Sequence, residues 1–286
     1  MKIAIYGSRR QQPFLKPIQA FLTNLRKSGV GVIMHRKLYD HLGEIAPQLL
    51  EGVECAASPF GADIAVSLGG DGTFLRTAQW LGSLEIPVVG VNTGHLGYLA
   101  ALTIDELPKL LEYISTDRFS IERRSVLRVE EPSLPGFVGQ FALNEVALSK
   151  EESASMIMAQ VDVDGELLAD YRADGLILCT STGSTAYNLS VGGPIVQPTL
   201  DVCVISPVAA HSLSMRPLVL DAASTIAITP SGRSPHVRIA LDGRSAQIPT
   251  GTRIVISQAP FKLQVLQLAD HGFAQTLRLK LHWGEQ

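Results

Sequence analysis

The stretch "ADIAVSLGGDGTFLRTAQWLG", residues 62–82, constrains the architecture of this chain more than any other. An apolar run stops at two glycines, an aspartate, a third glycine and a threonine, and helical spacing begins at once. A buried-type strand that turns this tightly into a helix is half of a strand–helix–strand unit, and repetition of such units builds a largely parallel sheet. The same alternation runs on both sides of it. "KIAIYG" reads as a first strand. "FLKPIQAFLTNLRKSG" sets Phe14, Ile18, Phe21, Leu22 and Leu25 on one helical face and stops at Gly29. "VGVIMH" and "IPVVGVN" are further strands. "TIDELPKLLEYIS" opens with Thr103 and carries Glu106 three residues on, the pattern of a capping box. Residues 1–123 are therefore expected to form an α/β domain, whose glycine–aspartate turn makes it the candidate nucleotide- or phosphate-binding domain.

From about residue 124 the texture changes. "SVLRVE", "QFALNEVALSK", "MIMAQVDVDGELLADYRADGLILCT", "STIAITP", "VRIALDGRSAQI" and "TRIVISQA" are short strand candidates separated by turn signals. Asp164-Gly165 and Asp242-Gly243 sit between alternating segments, a strong hairpin signal. Residues 124–265 are expected to be β-rich and sandwich-like. In the tail, 266–286, Phe273, Leu277 and Leu281 fit a helix while Leu277, Leu279, Leu281 and Trp283 alternate like a strand.

Composition removes several classes of function. With 46% hydrophobic and 18% charged residues the chain is globular, and a net charge of -3 offers no footprint for nucleic acid or an anionic membrane. Cys55, Cys179 and Cys203 are too scattered for a disulfide frame or a zinc site, and read as buried thiols in a reducing compartment. The opening "MKIAIYGSRRQQ" is too short in apolar residues for a secretory signal. No apolar stretch approaches the ~18 residues of a membrane span. A soluble cytoplasmic protein is expected.

In open α/β sheets ligands gather beyond the carboxyl ends of the strands. Gly69, Gly70 and Gly72 stand at such an end, ahead of a helix whose free N–H groups suit a phosphate. Asp71 would repel that phosphate unless it orients a hydroxyl, holds a metal or accepts a proton. Alternatively it is a helix cap.

These segments do not stand alone. "LGGDGTFLRTAQ", "VVGVNTGHLGYLA", "ALNEVAL", "DGLILCTSTGSTAYNLSVGGPI", "ISPVAAHSLSMRPLVL", "LDGRSA" and "FAQTLRLKLHW" resemble the NAD kinases in wording and in order, least over residues 8–60. "GGDGT" by itself is shared with lipid kinases. The resemblance implies phosphorylation of the 2′-hydroxyl of the adenosine ribose of NAD, with ATP or polyphosphate as donor and a divalent metal, Mg²⁺ above all. Its metal ligands stay unassigned. It implies that Gly69, Gly70, Asp71, Gly72 and Thr73 form the phosphate turn, with Asp71 catalytic and Arg76 answering phosphate charge. Asn144 and Glu145 would face ribose hydroxyls. Thr182, Thr185, Ala186, Tyr187, Asn188, Leu189 and Ser190, with Arg172 and Asp174, would line the dinucleotide site. Residues 124–265 become the NAD-binding domain, the tail returns to the first domain as a helix, and NAD lies in the crevice between. A homodimer or homotetramer is implied, a neighbouring subunit completing the site.

Each assignment has a plainer counterpart. Arg76 is also an exposed helical arginine, Asn144 and Glu145 edge-strand residues, and Tyr187, Ala186 and Leu189 core. Arg244 departs from the glutamine of many bacterial relatives; it either favours a phosphate-bearing ligand or caps a solvent-facing hairpin tip. His95, His211 and Arg216 read as rim or loop residues. Two other functions share parts of the pattern. A lipid kinase would show a basic or apolar membrane face, against which charge and the "NE" pair argue. A nucleotide sensor would have no use for the Asp71 carboxylate.

Overall fold

The computed structural model describes residues 1–9, 11–94, 97–116, 118–151, 156–268 and 272–284. The chain divides into two compact units, residues 1–123 with 263–286, and residues 124–262.

The first unit is built on β1 (Lys2–Gly7), β2 (Gly31–His35), β3 (Val53–Ala56), β4 (Ile64–Leu68) and β5 (Val88–Asn92), which lie in the order β3-β2-β1-β4-β5. All pairings among them are parallel. The tail strand Leu263–Leu268 adds in parallel beside β5, and Phe119–Arg124 lies beyond it. The order reverses between β1 and β4. At such a switch point the connections after neighbouring strands leave to opposite faces and open a crevice beyond the strand ends. The glycine–aspartate turn follows β4 directly.

Helix α1 (Leu15–Lys27) buries Ile18, Phe21, Leu22 and Leu25, the face its spacing predicts. Helix α2 (Arg36–Ile45) lacks the usual small polar N-cap; its N-terminal acceptor is the imidazole of His35, whose Nδ1 takes the Lys37 N–H at 3.3 Å. At Thr103 the capping contact is present, with Glu106 accepting the Thr103 N–H at 2.8 Å. Pro108 keeps that first stretch, Ile104–Lys109, in 3₁₀ form before the α-helix Leu110–Ser115. The tail's two readings resolve as a helix, Phe273–Leu281.

The second unit contains two six-stranded sheets whose pairings are antiparallel. Val146, Leu176 and Ile239 of one sheet share a buried core with Val129, Val161 and Ile228 of the other, which makes the unit a sandwich. Both predicted hairpins close as expected. Asp164 and Gly165 have φ of 52° and 87°, Asp242 and Gly243 of 47° and 79°, the paired positive values of a two-residue turn. The outer face of the sheet holding Gly175–Thr180 buries Ala147, Ile177, Cys179 and Val204 under Val196.

The cysteines divide. Cys179 and Cys203 are buried, and burial pushes the Cys203 thiol up to about 12. Cys55, expected inside, is exposed, because β3 is the edge strand and turns its middle residues to water. No helix among the described residues is long and apolar enough to cross a membrane.

Candidate active site

Helix α3 (Asp71–Leu81) begins at the turn itself, with Gly70 as its cap and Asp71 as its first residue. Asp71 is thus not the N-cap that the plainer reading made it. Its carboxylate reaches across to the loop after β5. Oδ2 accepts the Tyr98 N–H at 2.7 Å and Oδ1 the Leu99 N–H at 2.9 Å. A side chain at Gly97 would stand 2.2 Å from Asp71 Oδ1, so that loop can close on the carboxylate only with glycine there. The three glycines of the turn have different causes. At Gly69 a Cβ would lie 2.3 Å from Thr73 Oγ1, so the fold itself excludes one. At Gly70 nothing lies within 4 Å, and at Gly72 the nearest atom is Arg76 Nη2 at 4.0 Å. Packing therefore does not ask for glycine at 70 or 72, whereas an incoming group that must reach the backbone does. Arg76 is exposed one turn along and has no carboxylate partner among the described residues. His95 lies outside the described residues.

The second constellation gathers where the chain passes from one sheet of the sandwich to the other. Strand Phe141–Ala142 belongs to one sheet and Glu145–Lys150 to the other, and Leu143 and Asn144 make the corner. The corner packs on the next motif backbone to backbone. Thr180 N–H donates to Asn144 O at 2.9 Å, and a Cβ at Gly183 would stand 2.1 Å from that same oxygen. Three polar atoms here are buried without a protein partner, namely Asn144 Oδ1, Glu145 Oε2 and Thr182 Oγ1. Orphaned buried groups are costly and uncommon, and a ligand rich in hydroxyls would satisfy them. Burial, reinforced by the neighbouring Asp242 carboxylate, raises Glu145 to about 7, against a pull from the Tyr187 N–H.

The hydroxyl-rich segment after Thr180 divides into two kinds of residue. Ser181 donates to Leu200 O, Ser184 bridges to Val196, and Asn188 uses its whole amide internally. Asn188 Nδ2 reaches Ser184 O and Pro194 O, both at 3.1 Å, and its Oδ1 accepts from Ser206 Oγ at 2.6 Å. These residues hold the segment's shape. Thr182 is buried with its hydroxyl unused; Thr185, Ala186 and Leu189 are half-buried, and Ser190 is exposed. Tyr187 is 44% exposed, so its ring is a surface feature and not core.

Arg172 and Asp174 stand apart from this cluster. Glu145 pairs with Cys179 while Ser149 pairs with Gly175, so Asp174 adjoins the opposite end of the strand from Thr180. Five steps of strand separate the ends by about 17 Å. There Asp174 accepts from Lys150 Nζ at 2.8 Å, with His211 Nε2 at 4.0 Å, a charged neighbourhood that the sequence did not disclose. Arg244 turns inward. Its guanidinium donates to Gly139 O and Phe141 O at 3.2 and 2.5 Å and lies 5.0 Å from the centre of the Phe137 ring.

Known proteins resemble this chain over nearly its whole length. Family models described as the N-terminal and C-terminal domains of ATP-NAD kinase match residues 20–119 and 143–268. The chain is 40% identical over 286 residues to an NAD kinase of Porphyromonas gingivalis, covering 99% of this chain and 98% of that one. It is 40% identical over 290 residues to an NAD kinase of Christiangramia forsetii, covering 100% and 99%. Its fold superimposes on a yeast NADH kinase complexed with NADH at a TM-score of 0.86, with 25% identity and coverage of 100% and 89%. An NAD kinase from Archaeoglobus fulgidus shares the fold at a TM-score of 0.73, with 24% identity and coverage of 99% and 98%. The chain belongs to the NAD kinase family.

Proposed function

We infer that this protein is an NAD kinase, transferring the terminal phosphoryl group of ATP to the 2′-hydroxyl of the adenosine ribose of NAD and releasing NADP and ADP. Besides family membership, the observation that carries this reading is the trio of buried, unpartnered oxygens on Asn144, Glu145 and Thr182. One open oxygen each on an amide, a carboxylate and a hydroxyl fits ribose hydroxyls, and Tyr187 and Ser190 in the same segment as Thr182 offer an aromatic face and a further hydroxyl.

In the reaction the ribose oxygen attacks the γ-phosphorus, the bridging P–O bond to ADP breaks, and the hydroxyl proton leaves. Asp71 is the residue we assign to that proton and to aligning the hydroxyl. Each of its oxygens takes one backbone N–H and keeps lone pairs free, so it can accept a hydroxyl without leaving the loop that fixes it. In a loose phosphoryl transfer, alignment and charge contribute more than early proton removal. Arg76 and the N–H groups of Gly70, Asp71 and Gly72 would answer the phosphates. Among the described residues no group of three His, Cys, Asp or Glu could cage a metal. A magnesium ion would be held mostly by the donor's phosphates, with Asp71 the carboxylate at the turn, and would neutralise phosphate charge. The separation of Arg172 and Asp174 from Asn144 supports a homo-oligomer in which those two residues serve a neighbouring subunit's nucleotide. The free thiols fit a cytoplasmic enzyme.

A pH dependence follows from Glu145. Ionised, it accepts from ribose hydroxyls; protonated, it loses half that capacity. Because its carboxyl is raised to about 7 in the free protein, kcat/KM for NAD should rise with pH through about 7 and fall below it. Glu145→Gln should raise KM for NAD and flatten that limb. An unchanged profile in Glu145→Gln would assign the limb elsewhere. The reading as a whole is tested by incubating the protein with NAD, Mg²⁺ and either ATP or polyphosphate, and measuring NADP with an NADP-specific dehydrogenase. NADP from either donor supports a kinase and identifies the donor; none from both rejects it.

A further inference from the structure

The aspartate of "LDGR" belongs to no described contact with NAD, yet it is bound to the segment that we assign to NAD. Asp242 sits at the first position of the turn between strands His236–Leu241 and Arg244–Pro249, with its carboxylate folded away from solvent. One oxygen accepts the Leu143 N–H at 2.7 Å; the other accepts the N–H groups of Asn144 and Glu145 at 2.8 and 3.2 Å. In return, Asp242 N–H donates to Glu145 O at 3.2 Å.

The topology explains why an acceptor is needed there. The chain changes sheets between Ala142 and Glu145, so the N–H groups of the corner have no continuous neighbouring strand to donate to. The other side of the corner is fixed through its carbonyls, with Thr180 Oγ1 donating to Leu143 O at 2.5 Å and Thr180 N–H to Asn144 O at 2.9 Å. Asp242 supplies the missing half. Arg244, two residues on, balances part of its charge and ties the loop at Gly139 and Phe141 to the same hairpin.

We propose that Asp242 is the positioning residue of the NAD site, its carboxylate holding three successive backbone N–H groups so that the side chains of Asn144 and Glu145 stand where ribose hydroxyls meet them. The proposal rests on the reading of Asn144 and Glu145 as NAD contacts. It has a second, electrostatic consequence. The groups facing the Glu145 carboxylate are Asp242 with Arg244 behind it, the Cys179 thiol on the paired strand, and the Tyr187 N–H. Of these, Asp242 is the one that holds the proton on Glu145, adding to the effect of burial. Asp242 therefore sets the place of Glu145 and adds to burial in raising the pH at which it becomes an acceptor.

The test compares Asp242→Asn and Glu145→Gln with the wild type in steady-state kinetics across pH, with thermal melting as a check on folding. Asparagine keeps one acceptor, loses the charge and turns an NH₂ toward N–H donors. We expect KM for NAD to rise about ten- to a hundredfold, the loss of one or two buried charge-assisted hydrogen bonds, with kcat and KM for ATP changing far less. The acid limb of kcat/KM for NAD should also move to lower pH, because the charge facing Glu145 is gone, while the rise confined to KM for NAD is what a merely structural aspartate would not cause. If Glu145→Gln raises KM while folded Asp242→Asn leaves KM and the limb as in wild type, Asp242 positions nothing and the proposal is overturned. If Glu145→Gln itself leaves KM unchanged, the NAD reading fails and the proposal with it. Should Asp242→Asn not fold, Asp242→Ser carries the same expectation. Amide exchange on the wild type decides where neither folds: slow exchange at Leu143, Asn144 and Glu145 supports the clamp, and exchange at the intrinsic rate overturns it.

Discussion

Replacing Asp71 by asparagine should lower kcat for NADP formation by about 10²–10⁴-fold while NAD still binds. The side chain begins α3 and is fastened by two N–H groups, from Tyr98 and Leu99. Asparagine has nearly the same shape, so it can stay in place, but its amide group faces a donor and its charge is gone. Two separable losses follow. The loop after β5 loses one hydrogen bond, worth about 1–3 kcal/mol when a charged acceptor is removed, which melting would register. The attacking hydroxyl loses an anionic acceptor, which only turnover registers. Calorimetry with NAD and single-turnover kinetics with ATP separate the two. Turnover within about tenfold of wild type would confine Asp71 to holding the loop, below the usual range for a general base. A nucleotide sensor would show no change in binding and would have no turnover to lose.

The second large effect is expected at Gly183. Its missing side chain lies against backbone, with a Cβ only 2.1 Å from Asn144 O, 2.5 Å from its carbonyl carbon and 2.7 Å from its Cα. No rotamer change relieves a clash with backbone, so Gly183→Ala must push the corner at Asn144 away from the segment beginning at Thr182. Overpacking of a buried site costs about 1–3 kcal/mol, and here the displaced atoms also carry the hydrogen bond from Thr180. At about 2–4 °C per kcal/mol for a chain unit of this size, the melting temperature should fall by roughly 5–10 °C. NAD binding should fall further than stability, because the displaced residue is one that we propose meets the ribose. A scanning calorimetry trace and NAD titration on the same variant test both halves. A melting temperature and NAD affinity equal to wild type would mean that the close approach at Gly183 is absent.

What the sequence discloses follows the range of the interactions. The turn at Gly69 to Thr73, the two aspartate–glycine hairpins and the capping contact at Thr103 are set by residues within a few positions of one another, and each appears where its pattern places it. Helix α2 escapes because its cap is a histidine and not one of the usual small polar residues. Cys55 escapes because edge or interior is a property of strand order. Within "TSTGSTAYNLSVGG" the residue types alone cannot say that Ser181, Ser184 and Asn188 are staples while Thr182 is left open. That distinction depends on Leu200, Val196, Pro194 and Ser206, which fold back onto the segment from downstream. Asp242 is the extreme case. It lies 97 to 99 residues from the amides it holds, and its neighbourhood reads simply as a turn.

The measurement that bears most directly on the central claim follows the phosphorus. The protein is given NAD, Mg²⁺ and ATP labelled at the γ-phosphate, with Asp71→Asn in parallel, and the nucleotide product is separated and its label located. The account predicts label at the ribose 2′-position of NADP from the wild type and almost none from the variant. Label released only as inorganic phosphate, or NADP formed equally by both proteins, would contradict it.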